Sequence, residues 1–286
     1  MLKSVLEHIY HLAVRYSRSF NSGFKSLYGV QSMLTAHYPA SNNYWKSAIS
    51  TIEDVNIFPR QLLDLVQRSE TFLIQEDLLD NPTLLGFPKR ELSLGTVTDA
   101  FDLFGSDKSK TGLSLVYKHL LSSLPAGSSL LEIGIGTNNP KLVSSMGKNG
   151  KPGASLLAYE LVLKDSFIYG VDIDPNIMVS TNWIKTAVAD QMSLPTLMNL
   201  PSVFGVEKFD LIIDDGLHSP RANLNSLIFA LKFSKPSGLI WIEDIPLRSL
   251  EIWWVVKALL QDHLAFFEII KINENGFGVI IRTPDL

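Results

Sequence analysis

The stretch Ser129-Leu130-Leu131-Glu132-Ile133-Gly134-Ile135-Gly136-Thr137 runs a short apolar segment into two glycines, with one acidic residue just ahead of them. A run of that length bounded by turn residues reads as a buried strand, and glycines at its end let the backbone turn tightly and approach a ligand. Reading outward, the same texture recurs at Phe167–Ile173, Thr186–Ala189, Phe209–Asp214, Gly238–Glu243, Phe266–Ile272 and Phe277–Thr283, with helical spacing between. Alternation of this kind predicts a parallel sheet covered by helices on both faces. The last two runs are separated only by Asn273-Glu274-Asn275-Gly276, too short for a parallel crossover, so they are expected to pair as an antiparallel hairpin. The expectation is an α/β, Rossmann-like, doubly wound fold with seven mostly parallel strands in the order 3-2-1-4-5-7-6 and a C-terminal antiparallel hairpin.

Upstream, residues 1–95 carry no strand-like apolar run. Helical spacing appears at Val5, Ile9, Leu12 and Tyr16 and again at Leu62, Leu65, Val66 and Leu73, with Pro39 and Asn42-Asn43 as breakers between. This predicts an N-terminal helical appendage over 1–95, serving as a substrate cover or in oligomerisation, and a ligand-binding domain over 96–286. A chain of 286 residues with 46% hydrophobic and 19% charged residues can bury a large core. Its net charge of -4 gives no basic footprint, which argues against nucleic acid as a partner and for a small-molecule acceptor. With no cysteine, any metal must be held by oxygen or imidazole. Lys3, Glu7, His8, His11 and Arg15 interrupt the first residues, and no window approaches the about 18 to 20 apolar residues of a spanning helix. A cytoplasmic homo-oligomer without a transmembrane segment is the corresponding expectation.

A dinucleotide fingerprint would place a third glycine where Asn139 stands, followed here by Pro140. Glu132, ahead of Gly134 and Gly136, suits a cationic ligand better than a pyrophosphate and is expected to hold a methionine ammonium directly or through water. Asp172, ending the second strand, is placed to grip two ribose hydroxyls. Asp190 with Gln191 follows the third strand and can address an adenine amino group. The long loop from Thr137 to Gly153 precedes a helix opening near Ala154-Ser155, which turns Ser155 toward the same ligand. Together these residues point to S-adenosylmethionine; an ordinary strand-to-helix turn is the plain alternative for the glycines alone.

Asp215 ends the fourth strand and Glu243 and Asp244 the fifth, so three carboxylates are expected at one sheet edge. They repel unless a cation is present, and an oxygen set selects a hard ion, Mg²⁺ first. His218, three residues beyond Asp215, is the candidate general base for an acceptor hydroxyl. Asp214 is assigned a supporting role because neighbouring strand residues face opposite sides. The run Ile252-Trp253-Trp254-Val255-Val256 reads as a helix that packs in the core or at an oligomer interface.

These motifs together resemble the macrocin and mycinamicin sugar O-methyltransferase family, related to the cephalosporin hydroxylase-like group. The resemblance runs from Phe104 to Asp244 and takes in Phe104-Gly105-Ser106-Asp107-Lys108, the Glu132 glycine turn, Gly153-Ala154-Ser155-Leu156, Gly170-Val171-Asp172-Ile173, Asp190-Gln191, Asp214-Asp215-Gly216-Leu217-His218 and Ile242-Glu243-Asp244. It implies a class I methyltransferase fold, S-adenosylmethionine and Mg²⁺ as cofactors, Asp215, Glu243 and Asp244 as metal ligands, His218 as base, and a hydroxyl of a sugar or glycosylated small molecule as acceptor. Leu217 departs from the family's usual serine, and the Thr137–Lys151 loop differs from its pattern. A catechol-type O-methyltransferase acting on an aromatic diol and a non-catalytic S-adenosylmethionine-binding module are the alternatives; a nicotinamide oxidoreductase is disfavoured by Asn139 and Glu132.

Overall fold

Strands buried on both faces need helices above and below them, and the sequence supplies both sets. A computed structural model of the chain describes residues 73–74, 88–273 and 276–285. Its strands are β1 (Leu73–Ile74), β2 (Ser129–Ile133), β3 (Phe167–Asp172), β4 (Ile184–Val188), β5 (Phe209–Asp214), β6 (Ser234–Pro246), β7 (Phe266–Lys271) and β8 (Gly276–Arg282). The helices are α1 (Leu94–Phe104), α2 (Ser114–Ser122), α3 (Ala154–Leu163), α4 (Leu194–Met198), α5 (Leu200–Phe204), α6 (Pro220–Phe233) and α7 (Leu250–Leu260). Local chemistry sets their ends. Ser93 Oγ accepts the Thr96 N–H and Gly105 closes α1 in a left-handed turn; Ser219 Oγ caps α6, with Pro220 at its first position.

The sheet order is β4-β3-β2-β5-β6-β8-β7-β1. Strands β2 to β6 pair in parallel, and β8 is antiparallel to both β6 and β7. The seven strands read from the sequence therefore take the expected order, and the tight hairpin is present. One strand is added. Leu73–Ile74 pairs in parallel with Ile270 and Lys271 of β7, in a region expected to be helical. A two-residue strand carries no periodicity, and what places it is the hydrogen-bonding edge that β7 offers. Residues 88–93 carry no helix and α1 opens at Leu94, while the rest of the helical expectation for 1–95 falls at 1–72 and 75–87, outside the described residues. The compact unit containing the sheet spans Val66–Leu286. Its contacts begin before residue 96: Lys89 and Arg90 N–H groups bond Ser122 O, and the Arg90 guanidinium bonds Leu124 O, Pro125 O and Asp165.

Side-chain alternation divides the core in two. Leu130, Ile168, Leu211, Ile213 and Trp241 pack against Phe101 of α1, Tyr117 of α2 and Tyr159 of α3. Leu131, Val171, Ile212, Ile240 and Ile242 pack on the other face with Phe204, Leu227 and Trp253. The aromatic run at 252–256 is thus largely core: Trp253 is buried and Trp254 lies partly covered against the same cluster. Glu132 and Glu243 share the first face, with α2 and α3, by the same alternation.

Two positions test this packing. A Cβ on Gly278 of β8 would overlap the outer carbons of the Trp241 indole. Gly278→Ala should cost about 1 to 3 kcal/mol, measured by denaturant unfolding, and less in a Trp241→Phe background, where those carbons are gone. His119 on α2 is buried, its Nε2 has no hydrogen-bond partner, and burial lowers its pKa to about 4. The unfolded chain then binds a proton that the folded chain refuses, so stability is lost as pH falls from 6.5 toward about 4. His119→Leu should flatten that acid limb, by at most about 3 kcal/mol.

Candidate active site

Open α/β sheets bind ligands beyond the carboxyl ends of their strands, at the point where the connections change direction. Here that point is β2, flanked by β3 and β5. The edge there opens into a cavity of about 340 Å³, within the usual range for small-molecule sites. Gly134, Gly136, Ser155, Asp172, Asp190, Gln191, Asp215, His218 and Asp244 all line it.

The glycine turn is braced from beneath. Gly134 N–H donates to Val171 O at 2.8 Å, and Ile135 N–H donates to Asp172 Oδ2 at 3.1 Å. Gly134 has φ +89°, and a Cβ there would collide with the Asp215 carbonyl and the Gly216 Cα, so the strand ends of β2 and β5 touch through bare backbone. Asp172 accepts Asp174 N–H with its other oxygen. Each carboxylate oxygen keeps a second lone pair, so Asp172 remains able to accept ribose hydroxyls while it holds the turn. Asp190 lines the cavity and accepts the Met192 N–H. Gln191 is nearly closed off: its amide nitrogen donates to Asp214 at 2.6 Å and Ser226 at 2.9 Å, while its oxygen accepts Leu217 N–H at 2.8 Å. It therefore holds the His218 loop to β5, a task different from the expected adenine contact. Asp214 also accepts from Asn223 of α6, in the supporting role read for it, and burial raises its pKa.

At the other end of the cavity stand Asp215, His218 and Asp244. One ligand atom from each lies within 4.8 Å of the others, a grouping compact enough for a metal ion. His218 Nε2 is 3.9 Å from Asp215 Oδ1 and 3.8 Å from Asp244 Oδ2, and its Nδ1 is buried without a partner. His218 (φ 51°) and Asp244 (φ 55°) both sit in the left-handed region, a strain typical of functional positions in residues other than glycine. A register shift between Ile242 and Ile245 of β6 accompanies the second of these. Bulges re-aim side chains, and this one brings Asp244 to the cavity.

Glu132 and Glu243 differ from expectation. Neither lines the cavity, and both are almost fully buried beneath it. Glu132 accepts from Ser155 Oγ at 2.5 Å and Tyr159 OH at 3.2 Å, so both its oxygens are turned to hydroxyls beneath the cavity floor. Glu243 accepts from Tyr117 OH at 2.8 Å and Trp241 Nε1 at 3.0 Å with one oxygen, and from Lys108 Nζ with the other. The reason is strand alternation: it separates Glu243 from Asp244 just as it separates Asp214 from Asp215.

Lys108 is the residue the sequence reading passed over. It stands on a 3-10 turn, Asp107–Ser109, between α1 and α2, and is 2% exposed. Its Nζ donates to Asp215 Oδ2 at 2.5 Å and to Glu243, lies 3.5 Å from Glu132, and sits 5.1 Å from the Tyr117 ring centre. Burial alone would lower its pKa, but Asp215 and Glu243 outweigh that and hold the ammonium charged well above the usual lysine range. For Glu243 burial raises the pKa and the attraction of Lys108 reverses it, leaving a net lowering. Asp215 is raised well above its ordinary value, by burial first and then by the Glu243 charge. Burial and the same carboxylates keep the Tyr117 and Tyr159 phenols protonated, as donors. The counter-charge expected for three carboxylates at this edge is thus partly internal. Its only sequence signal was a lysine in the Phe104–Lys108 element, more than 100 residues from Asp215.

No family model matches the chain. Over 93 residues it is 32% identical to demethylmacrocin O-methyltransferase of Streptomyces fradiae, a segment covering 32% of this chain and 23% of that protein. Among solved structures, MycE methyltransferase from the mycinamycin biosynthetic pathway, in complex with Mg, S-adenosylhomocysteine and mycinamycin VI, matches with a TM-score of 0.52 at 18% identity, covering 69% of this chain and 56% of that one. A second crystal form with Mg and S-adenosylhomocysteine gives 0.53 at 17%, covering 68% and 54%. The chain thus spans about a quarter of the curated relative and just over half of the structural one. It has the Rossmann-like class I methyltransferase fold, and its likeness to macrocin- and mycinamicin-type methyltransferases is borne out in sequence over 93 residues and in fold over about two thirds of its length.

Proposed function

We propose that the chain is an S-adenosylmethionine-dependent, Mg²⁺-dependent O-methyltransferase acting on a hydroxyl of a sugar or glycosylated small molecule. The observation that carries this reading is one cavity with a nucleoside-type grip at one end and an acid–imidazole group at the other. The names of the similar proteins support the acceptor class and both cofactors.

The residues present fit the two groups. At the nucleoside end, the Gly134 turn keeps the floor free of side chains, Asp172 offers lone pairs for the ribose, and Asp190 faces the same space. Glu132, already bonded to Ser155 and Tyr159 beside Lys108, acts through Ser155, which lines the cavity. At the other end, oxygen donors with a neighbouring imidazole suit a hard divalent ion, and Asp215 and Asp244 are the residues that would hold it. When bound, S-adenosylmethionine supplies an electrophilic methyl group and Mg²⁺ supplies charge that acidifies and orients an acceptor hydroxyl.

The chain's own residues align the acceptor and handle its proton. His218 Nε2 takes the hydroxyl proton, and the carboxylates of Asp215 and Asp244, 3.9 and 3.8 Å away, stabilise the imidazolium that results. The Gln191 clamp on the Leu217 N–H holds the loop that presents His218 in its left-handed backbone. Leu142, Val143 and Met146 form an apolar lip suited to the hydrophobic part of a glycosylated acceptor.

Calorimetric titration with S-adenosylhomocysteine separates the two ends. Asp172→Ala should weaken binding by about 30-fold, the worth of a hydrogen bond to a charged group. His218→Ala should bind it like the wild type yet lower methyl transfer by about 10² to 10⁴; an undiminished rate would exclude His218 as the base. Screening glycosylated acceptors beside simple catechols tests the acceptor class, and turnover of catechols alone would reverse it.

A further inference from the structure

The cavity carries positive charge that the nucleoside grip and the acid–imidazole group do not use. Lys108, Lys141 and Lys151 all line it, and of these Lys108 is neutralised by the carboxylates at the floor. Neither Lys141 nor Lys151 has an ion-pair partner among the described residues. We infer that Lys141 selects the acceptor by charge: the site takes a glycoside that carries a carboxylate or a phosphate, and the Lys141 ammonium meets that anion. The inference rests on the proposed methyl transfer to a glycosylated acceptor, whose class it narrows.

The loop after the glycine turn presents Lys141 in a defined way. Met146 N–H donates to Thr137 O at 2.8 Å and closes the base of the excursion, while the buried Thr137 hydroxyl donates to Asp174. Further out, Asn139 accepts the Lys141 N–H at 3.1 Å with its side chain and the Leu142 N–H at 3.1 Å with its carbonyl. Lys141 is therefore carried on a turn, next to the Leu142 and Val143 of the apolar lip, and all of them face the cavity. Val143 is 93% exposed, so this lip stands in solvent with a cation and apolar surface side by side. Between Thr137 and Glu160 the chain has Lys141, Lys148 and Lys151 and no Asp or Glu to neutralise them locally.

The methyl donor brings one carboxylate of its own, and Lys151 is the lysine on the donor side. Its stem crosses over Gly105, where a Cβ would crowd it, and two residues on Gly153 N–H bonds Ile135 O inside the glycine turn, next to Ser155. Lys141 belongs instead to the lip, where the acceptor enters. Without that cation an anionic acceptor would meet Asp107, Asp190 and Asp244 lining the same space in a chain of net charge -4, and would be repelled. A cation in such a mouth raises the local concentration of anions and gives them one place to bind. A neutral glycoside has no use for it.

The test uses the full chain saturated with S-adenosylhomocysteine, so that the donor side is filled, and free of divalent ions, which would themselves attract anions. Binding is titrated by saturation-transfer NMR with methyl glucoside, methyl glucuronide and the phosphate monoester of methyl glucoside, probes alike except for the group on the exocyclic carbon. At least one anionic probe should bind about fivefold more tightly than methyl glucoside, the upper worth of an exposed ion pair, and the tighter of the two identifies the anion. Lys141→Met should abolish that preference and Lys141→Glu should invert it, whereas Lys148→Met, on the same loop but outside the cavity, should keep it. The inference is overturned if neither anionic probe binds more tightly than methyl glucoside, or if the advantage survives Lys141→Met. Failure of the proposed function has a different signature, since the wild type would then not retain S-adenosylhomocysteine, and the inference falls with it.

Discussion

The carboxyl edge of this sheet depends on one ammonium buried among three carboxylates. Each of those ions would cost several kcal/mol to take out of water alone. Lys108 meets Asp215, Glu243 and Glu132 together, while Ser155 and Tyr159 donate to Glu132, and Tyr117 and Trp241 to Glu243. An apolar cluster of equal volume would serve stability as well or better. What the charged cluster adds is direction, since each donor has one acceptor it must reach, and the ends of β2, β5 and β6 are drawn to a common point. The active-site face inherits its geometry from that arrangement.

The features above this floor are those expected where a local rule is broken for function. His218 and Asp244 take left-handed backbone without being glycine, β6 carries its irregularity at Glu243-Asp244, and Gly134 lets two backbones meet where any side chain would part them. Such strain persists only where the surroundings over-determine it. Gln191 provides part of that determination, bonding Asp214, Ser226 and the Leu217 N–H at once. The loop bearing His218 is thus fastened to the loop after β4, so the nucleoside end and the acid–imidazole end of the cavity share one rigid frame.

Much of this was legible in the sequence because it follows from short-range patterns. The bounds of β2 and β5 and the hairpin between β7 and β8 come from apolar runs and from a connection too short for any crossover. The residues lining the cavity come from strand ends, whose place is set once the sheet is known to be parallel. Strand alternation had been applied to Asp214 and Asp215, and applying it equally to Glu243 and Asp244 would have separated those two. Lys108 was harder. Its partners lie 107 and 135 positions away, and no periodicity reports a contact made across three elements. Strand β1 escaped because two residues cannot display a period.

The turn that carries Lys108 also explains why the resemblance of the Phe104–Lys108 element has physical content. Ser106, Asp107 and Lys108 all line the cavity, and the Lys108 ammonium reaches the buried carboxylates at its floor. One short segment therefore builds both the wall that a ligand touches and the charge that orients the acids below. Gly105 ends α1 in a left-handed turn, and Ser106 N–H bonds Phe101 O, so the segment's position is set by the helix rather than by the ligand. A displacement of that helix end would shift the wall and the ammonium together. Because Asp215 is held from below by Lys108, such a displacement would reach the acid–imidazole group without any change in its own residues.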